Sequence, residues 1–136
     1  KLKQLENFPT GDSVRTVFAC LLNCKSPEEV PNFMSEEVDK YHDKLVSWLD
    51  ENNYQYVEMS IDDFMTSEFI SSGYCGISGK SPRGDWDHLV VGEVVLRKEE
   101  GKTFRDLYFR HDTSPHHDGT YIIGEPKTVS FLARKL

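Results

Sequence analysis

The stretch His88-Leu89-Val90-Val91-Gly92-Glu93-Val94-Val95-Leu96, followed after Glu99-Glu100-Gly101-Lys102 by the run Thr103 to Arg110, decides the fold. Both runs are rich in β-branched and aromatic residues, and the charged, glycine-containing segment between them suits a turn. The pattern predicts a hairpin whose open end brings residues of its two strands together. His88 and Asp112 fall at that end, so a histidine and a carboxylate distant in sequence become candidates for one site.

Other short β-prone runs, Tyr54 to Met59, Tyr74 to Ser78, Tyr121 to Ile123 and Thr128 to Leu132, are set apart by Gly, Pro or charge. The N-terminal part has a helical period instead. Val14, Val17, Phe18, Leu21 and Leu22 mark one buried face of a helix starting around Gly11 or Asp12, which puts Ser13 on the first turn. Ser26-Pro27-Glu28-Glu29 carries a cap, a proline and a glutamate in the order that opens a short helix, and Pro31 ends it. Ser35-Glu36-Glu37 leads into an amphipathic helix bearing Val38, Tyr41, Leu45, Trp48 and Leu49 and ending near Asn52-Asn53. Ser60-Ile61-Asp62-Asp63-Phe64 reads as one more short capped helix. The expectation is an α+β fold, N-terminal helices packed on an antiparallel sheet, as a single domain over residues 1–136.

A chain of 136 residues with 38% hydrophobic and 29% charged residues has enough apolar surface for one real core. No apolar run approaches a membrane span and no signal-peptide pattern opens the sequence, so a cytoplasmic protein with no membrane partner is expected. The net charge of -7, with Lys and Arg scattered, argues against nucleic acid as a partner. Three cysteines, Cys20, Cys24 and Cys75, make no paired spacing and read as reduced structural thiols. The sequence does not fix the oligomeric state.

Cysteine acyl transfer needs a nucleophile at a helix N-terminus, a histidine brought from another element to take its proton, and a polar residue to orient that histidine. Ser13, His88 and Asp112 stand in this order. Gly11-Asp12-Ser13, the helix with Ala19-Cys20-Leu21-Leu22, and Glu28-Glu29-Val30-Pro31-Asn32-Phe33 resemble a family of small phage and bacterial papain-like proteins, in which a Gly-Asn-Cys or Gly-Asp-Cys motif opens an Ala-Cys-rich helix. Ser78-Gly79-Lys80-Ser81-Pro82-Arg83-Gly84, His88-Leu89-Val90-Val91-Gly92 and His111-Asp112-Thr113-Ser114-Pro115-His116 are similar to further blocks of that family, in the same order.

The resemblance implies a papain-like fold and a cysteine peptidase or amidase that cleaves or transfers an amide of a peptide or protein substrate without a cofactor. It implies nucleophile, base and orienting roles at positions 13, 88 and 112, with Gln4 as an oxyanion donor beside the backbone N–H of residue 13. The departure falls on the nucleophile. A serine hydroxyl stays protonated where a helix N-terminus would lower the pKa of a thiol, so the expectation is a site inactivated by Ser13. The alternative is a non-catalytic papain-like binding or inhibitor protein.

Lys80 and Arg83 form a basic turn that would receive a substrate carboxylate or carbonyl, or stand as an ordinary exposed turn. His111, Asp112, His116, His117 and Asp118 offer metal-ligand chemistry but lack the spacing to a second cluster, so no metal is expected. Gly79-Lys80-Ser81 fails as a phosphate loop because Tyr74 stands where its first glycine belongs and Pro82 opposes the helix.

Overall fold

The computed structural model describes residues 13–31, 41–67, 72–114 and 119–134. Ser13–Leu21 forms helix α1, Tyr41–Glu51 helix α2 and Ile61–Thr66 helix α3. The strands are β1 (Tyr54–Ser60), β2 (Gly73–Lys80), β3 (Asp87–Glu99), β4 (Lys102–His111) and β5 (Ile123–Arg134). They make one five-stranded sheet in the order β1-β5-β2-β3-β4, with every neighbouring pair antiparallel. The mixed helix and antiparallel-sheet class is therefore as the sequence implies. The proposed start of α2 at Ser35-Glu36-Glu37 lies outside the described residues.

The local capping signals operate as read. Ser26 accepts from the Glu28 N–H, while the Glu29 carboxylate reaches back to the Ser26 N–H, closing a capping box on the 3-10 turn Pro27–Glu29. Ser60 accepts from the Asp63 N–H and starts α3 directly at the end of β1. Glu100 and Gly101 both have positive φ in the two-residue turn between the paired Glu99 and Lys102, so the glycine carries half of a turn that needs left-handed backbone.

One expectation is corrected. Tyr121 to Ile123 and Thr128 to Leu132 are not two strands: residues from Ile123 onward belong to the single strand β5. Ile123 pairs with Lys80 and Thr128 with Ser78, so the intervening residues bulge out opposite one residue of β2. Gly124, at φ +76°, and Pro126 lie in that bulge and break the alternation on which sequence reading depends.

Each face of the sheet has its own core, because successive side chains of a strand point to opposite sides. On one face Phe18 of α1 and Leu45 and Leu49 of α2 pack with Tyr54, Tyr56, Leu89 and Leu132. On the other, Phe64 of α3 joins Cys75, Ile77, Val90, Val94, Val129 and Phe131. Arg105 of β4 donates to the Phe64 and Ser67 carbonyls at 2.5 and 2.6 Å, tying the edge strand to the C-terminal end of α3. No described helix is long and apolar enough to cross a membrane.

Candidate active site

The β3–β4 ladder ends at the pair Val91 and His111, and both chains continue past it toward the same end of the sheet. There His88, 4% exposed, and Asp112, 1% exposed, meet: His88 Nε2 is 2.7 Å from Asp112 Oδ1. That oxygen also accepts from the Ser114 N–H at 2.9 Å, while Oδ2 faces Arg83 Nη2 at 3.4 Å. Burial pushes the Asp112 carboxyl up, but the His88 hydrogen bond, the Ser114 N–H and the charges of His88 and Arg83 outweigh it and hold the pKa below its ordinary value. Asp112 is thus ionised at neutral pH.

An ionised carboxylate only accepts, so the proton between the two side chains sits on His88 Nε2. In the neutral ring this leaves the Nδ1 lone pair open, and no hydrogen bond occupies Nδ1 among the described residues. His88 is therefore a fixed imidazole with one nitrogen held by Asp112 and the other ready to take a proton.

His88 lines a pocket of about 250 Å³ whose floor crosses four strands and whose roof comes from α1 and α2. Leu89 of β3, Ser78 of β2, Thr128 and Ser130 of β5, and Tyr56 and Glu58 of β1 belong to the floor, and Val14, Phe18, His42 and Leu45 to the roof. Val14 directly follows Ser13 in the first turn of α1, so the helix start and His88 share one cavity. Free backbone N–H groups and the positive end of the helix dipole collect at such a terminus.

Of the other expected site residues, Gln4 lies outside the described residues. Arg83 is mostly buried and directed onto Asp112, and its buried Nη1 has no hydrogen-bond partner among the described residues. Lys80 is half exposed and pairs with Asp85 at 3.6 Å. The basic turn therefore divides: Arg83 supports the His88 and Asp112 pair, while Lys80 stays at the surface. The Arg83 arm is set locally, since the Ser81 hydroxyl accepts from the Arg83 N–H and the Ser81 N–H donates to the Trp86 carbonyl.

The cysteines lie elsewhere. Cys20 and Cys24 border a second cavity of about 220 Å³ with Tyr74, Arg110 and His111 near the C-terminal end of α1, and Cys75 is buried in the sheet core. Burial, then Glu29 and Cys20, push the Cys24 thiol up; burial and Glu93 push Cys75 up to about 12. Neither has thiolate character for attack at neutral pH. Among the described residues no three His, Cys, Asp or Glu side chains converge into a metal-binding group, and His116, His117 and Asp118 lie outside them.

Sequence reading missed the Ser114 N–H, the Arg83 support and the polar pocket floor. Alternation alone puts Tyr56 and Glu58 on one face of β1, but no local signal says that β1 lies across β5 and β2 from His88. No family model, curated protein or solved structure matches the chain.

Proposed function

We propose that this chain carries a papain-like acyl-transfer site, a cysteine peptidase or amidase apparatus acting on an amide of a peptide or protein, with serine in the nucleophile's place. The observation that supports it most is the buried His88 and Asp112 pair, with His88 among the residues lining the pocket that also receives the first turn of α1.

In the cysteine form, the thiol at position 13 loses its proton to His88 Nδ1 and its sulfur bonds the substrate carbonyl carbon. The carbonyl electrons move onto oxygen, where the N–H of residue 13 and the Gln4 side chain are assigned as donors. Collapse of that oxyanion breaks the C–N bond, and the amine leaves with the proton from His88. Water, deprotonated by the same ring, then cleaves the thioester and frees the acid. Asp112 holds the ring and stays ionised throughout. With Ser13 the first proton transfer starts from an unactivated hydroxyl, so the chain binds substrate and turns it over poorly or not at all.

The deciding variant is Ser13→Cys. Its new thiol should react with iodoacetamide at pH 7 faster than the thiol of an unstructured peptide, since both the helix terminus and His88 favour thiolate. A rate equal to the peptide's would remove the catalytic reading. Ser13 itself favours a second reading, a papain-like scaffold kept for binding or inhibition. A partner captured equally well by the native chain and by the Ser13, His88 and Asp112 variants would support that reading.

A further inference from the structure

We propose that Cys20 and Cys24 form a dithiol site that glutathione disulfide converts reversibly into an intramolecular disulfide; this inference is independent of the acyl-transfer reading above. Two cysteines at this spacing inside an α-helix are held apart by a rigid backbone, but here the helix stops between them. α1 ends at Leu21, and the chain leaves it through Asn23, a left-handed residue at φ 59°. The Asn23 N–H donates to the Cys20 carbonyl at 3.1 Å, and the Cys24 N–H to the Ala19 carbonyl at 2.9 Å. These are the two bonds of a Schellman motif, with asparagine at the position that demands left-handed backbone.

The motif limits how far apart the two residues can be. The Ala19 oxygen lies about 2.8 Å from the Cys20 Cα across their planar peptide, and the Cys24 nitrogen about 1.5 Å from its own Cα. The 2.9 Å hydrogen bond joins these two short arms. With a straight hydrogen bond, which bends at the amide nitrogen by roughly 120°, the two Cα atoms are no more than about 6.6 Å apart. That is inside the range of about 4.4–6.8 Å that a disulfide spans.

Both residues also border one cavity, of about 220 Å³, and both are partly exposed, whereas Cys75 is fully buried. After burial and the charge of Glu29, a thiolate at Cys20 is a further cause holding the proton on Cys24, so the two sulfurs lie within electrostatic reach of each other.

The chemistry is thiol–disulfide exchange in two steps. The Cys20 thiol loses its proton to solvent, and its sulfur attacks one sulfur of glutathione disulfide; that S–S bond breaks and one glutathione leaves as thiolate. Cys24 then loses its proton, attacks the Cys20 sulfur of the mixed disulfide and expels the second glutathione. The two protein thiols are oxidised by two electrons, and glutathione disulfide is reduced to two glutathione molecules. The new bond ties the end of α1 to the segment that follows it.

The test uses the reduced native chain, equilibrated in glutathione buffers of varied thiol to disulfide ratio, quenched in acid and read by intact mass and peptide mapping. The folded chain should lose the mass of two hydrogen atoms, map to a bond between Cys20 and Cys24 with Cys75 still a thiol, and return to its starting mass with dithiothreitol. The effective concentration of the two thiols, taken from the same equilibria, should be about tenfold or more higher in the folded chain than in concentrated urea, because the motif holds the pair together. Cys24→Ser should stop at the mixed disulfide, with the mass of one glutathione added at Cys20. Accumulation of a mixed disulfide in the native chain, a disulfide-linked dimer, or no reaction at a ratio that oxidises the pair in urea overturns the site. An effective concentration no higher folded than unfolded overturns it too, since the bond would then owe nothing to the fold.

Discussion

His88 Nε2 lies 2.7 Å from Asp112 Oδ1, and that oxygen belongs to a carboxylate held ionised by two further groups, the Ser114 N–H and the Arg83 guanidinium. The consequence is a defined tautomer, with Nε2 donating and Nδ1 open. Asp112→Asn keeps the shape but offers the ring an amide N–H as readily as an oxygen, which frees it to reverse. In a Ser13→Cys background, Asp112→Asn should slow thiol alkylation at pH 7 at least tenfold, and an unchanged rate would separate Asp112 from the chemistry. Asp112→Ala should also lower the stability of the chain by about 3 kcal/mol in urea unfolding, because Arg83 and His88 lose their buried partner.

The same carboxylate sets an acid limb of stability. Its folded pKa is lowered, so between the unfolded value of about 3.9 and the lower folded value the unfolded chain binds more protons. The stabilisation is present above the unfolded value and is lost as pH falls through the folded one. Urea midpoints measured from pH 6 down to pH 2 should decline in that acid window, and less steeply in Asp112→Asn, which has no carboxyl to protonate there. Arg83→Met removes one of the groups that hold the proton off and brings the folded pKa up towards the unfolded one, so its decline should be smaller and end at higher pH. A decline identical in all three proteins would show that other carboxylates govern the limb.

How much of this was legible follows from the range over which each signal acts. The β3–β4 hairpin was readable because Gly101 and its neighbours announce the turn locally, and its open end delivered His88 and Asp112 together. Caps at Ser26 and Ser60 were readable for the same reason. The bulge at Gly124 and Pro126 hid the continuity of β5, since alternation stops where the ladder is interrupted. The placement of β5 between β1 and β2 is a long-range pairing with no local sign. The polar floor of the pocket, Tyr56 and Glu58 on β1 with Thr128 and Ser130 on β5, was invisible for that reason. The sequence offers Arg83 only as half of a basic turn with Lys80 that would receive a substrate carboxylate or carbonyl, because it does not show that the partner of that guanidinium is Asp112, 29 residues on.

Arg105 joins the edge strand to α3 through two carbonyls, those of Phe64 and Ser67. Its guanidinium also lies 5.2 Å from the centre of the fully buried Phe64 ring. Two charge-assisted hydrogen bonds to helix-end carbonyls and that ring contact should together contribute about 2 kcal/mol. Arg105→Ala should lose about that much in urea unfolding, and hydrogen exchange should quicken over residues 61–67 more than in α1. Uniform quickening across the chain would mean that Arg105 supports only the global fold. Phe64→Ala, which opens a cavity in the same core, should cost more, about 3–5 kcal/mol.

The three native thiols should differ in reactivity for reasons the structure makes explicit. Cys75 has no solvent exposure, and burial followed by the charge of Glu93 raises its pKa to about 12. At pH 8 that leaves about one thiol in ten thousand ionised, before access is considered. A disulfide reagent should therefore leave Cys75 unlabelled in the native protein and reach it at the rate of unfolding, with all three cysteines labelled in urea. Cys24, raised by burial and by Glu29, should react more slowly at pH 8 than a cysteine in an unstructured peptide. Labelling with mass mapping separates the sites, and Ser13→Cys should add one thiol faster than all of them. Native labelling of Cys75 ahead of unfolding would mean that the core formed by Phe64, Ile77 and Val129 opens locally, and that the sheet is looser around β2 than its packing implies.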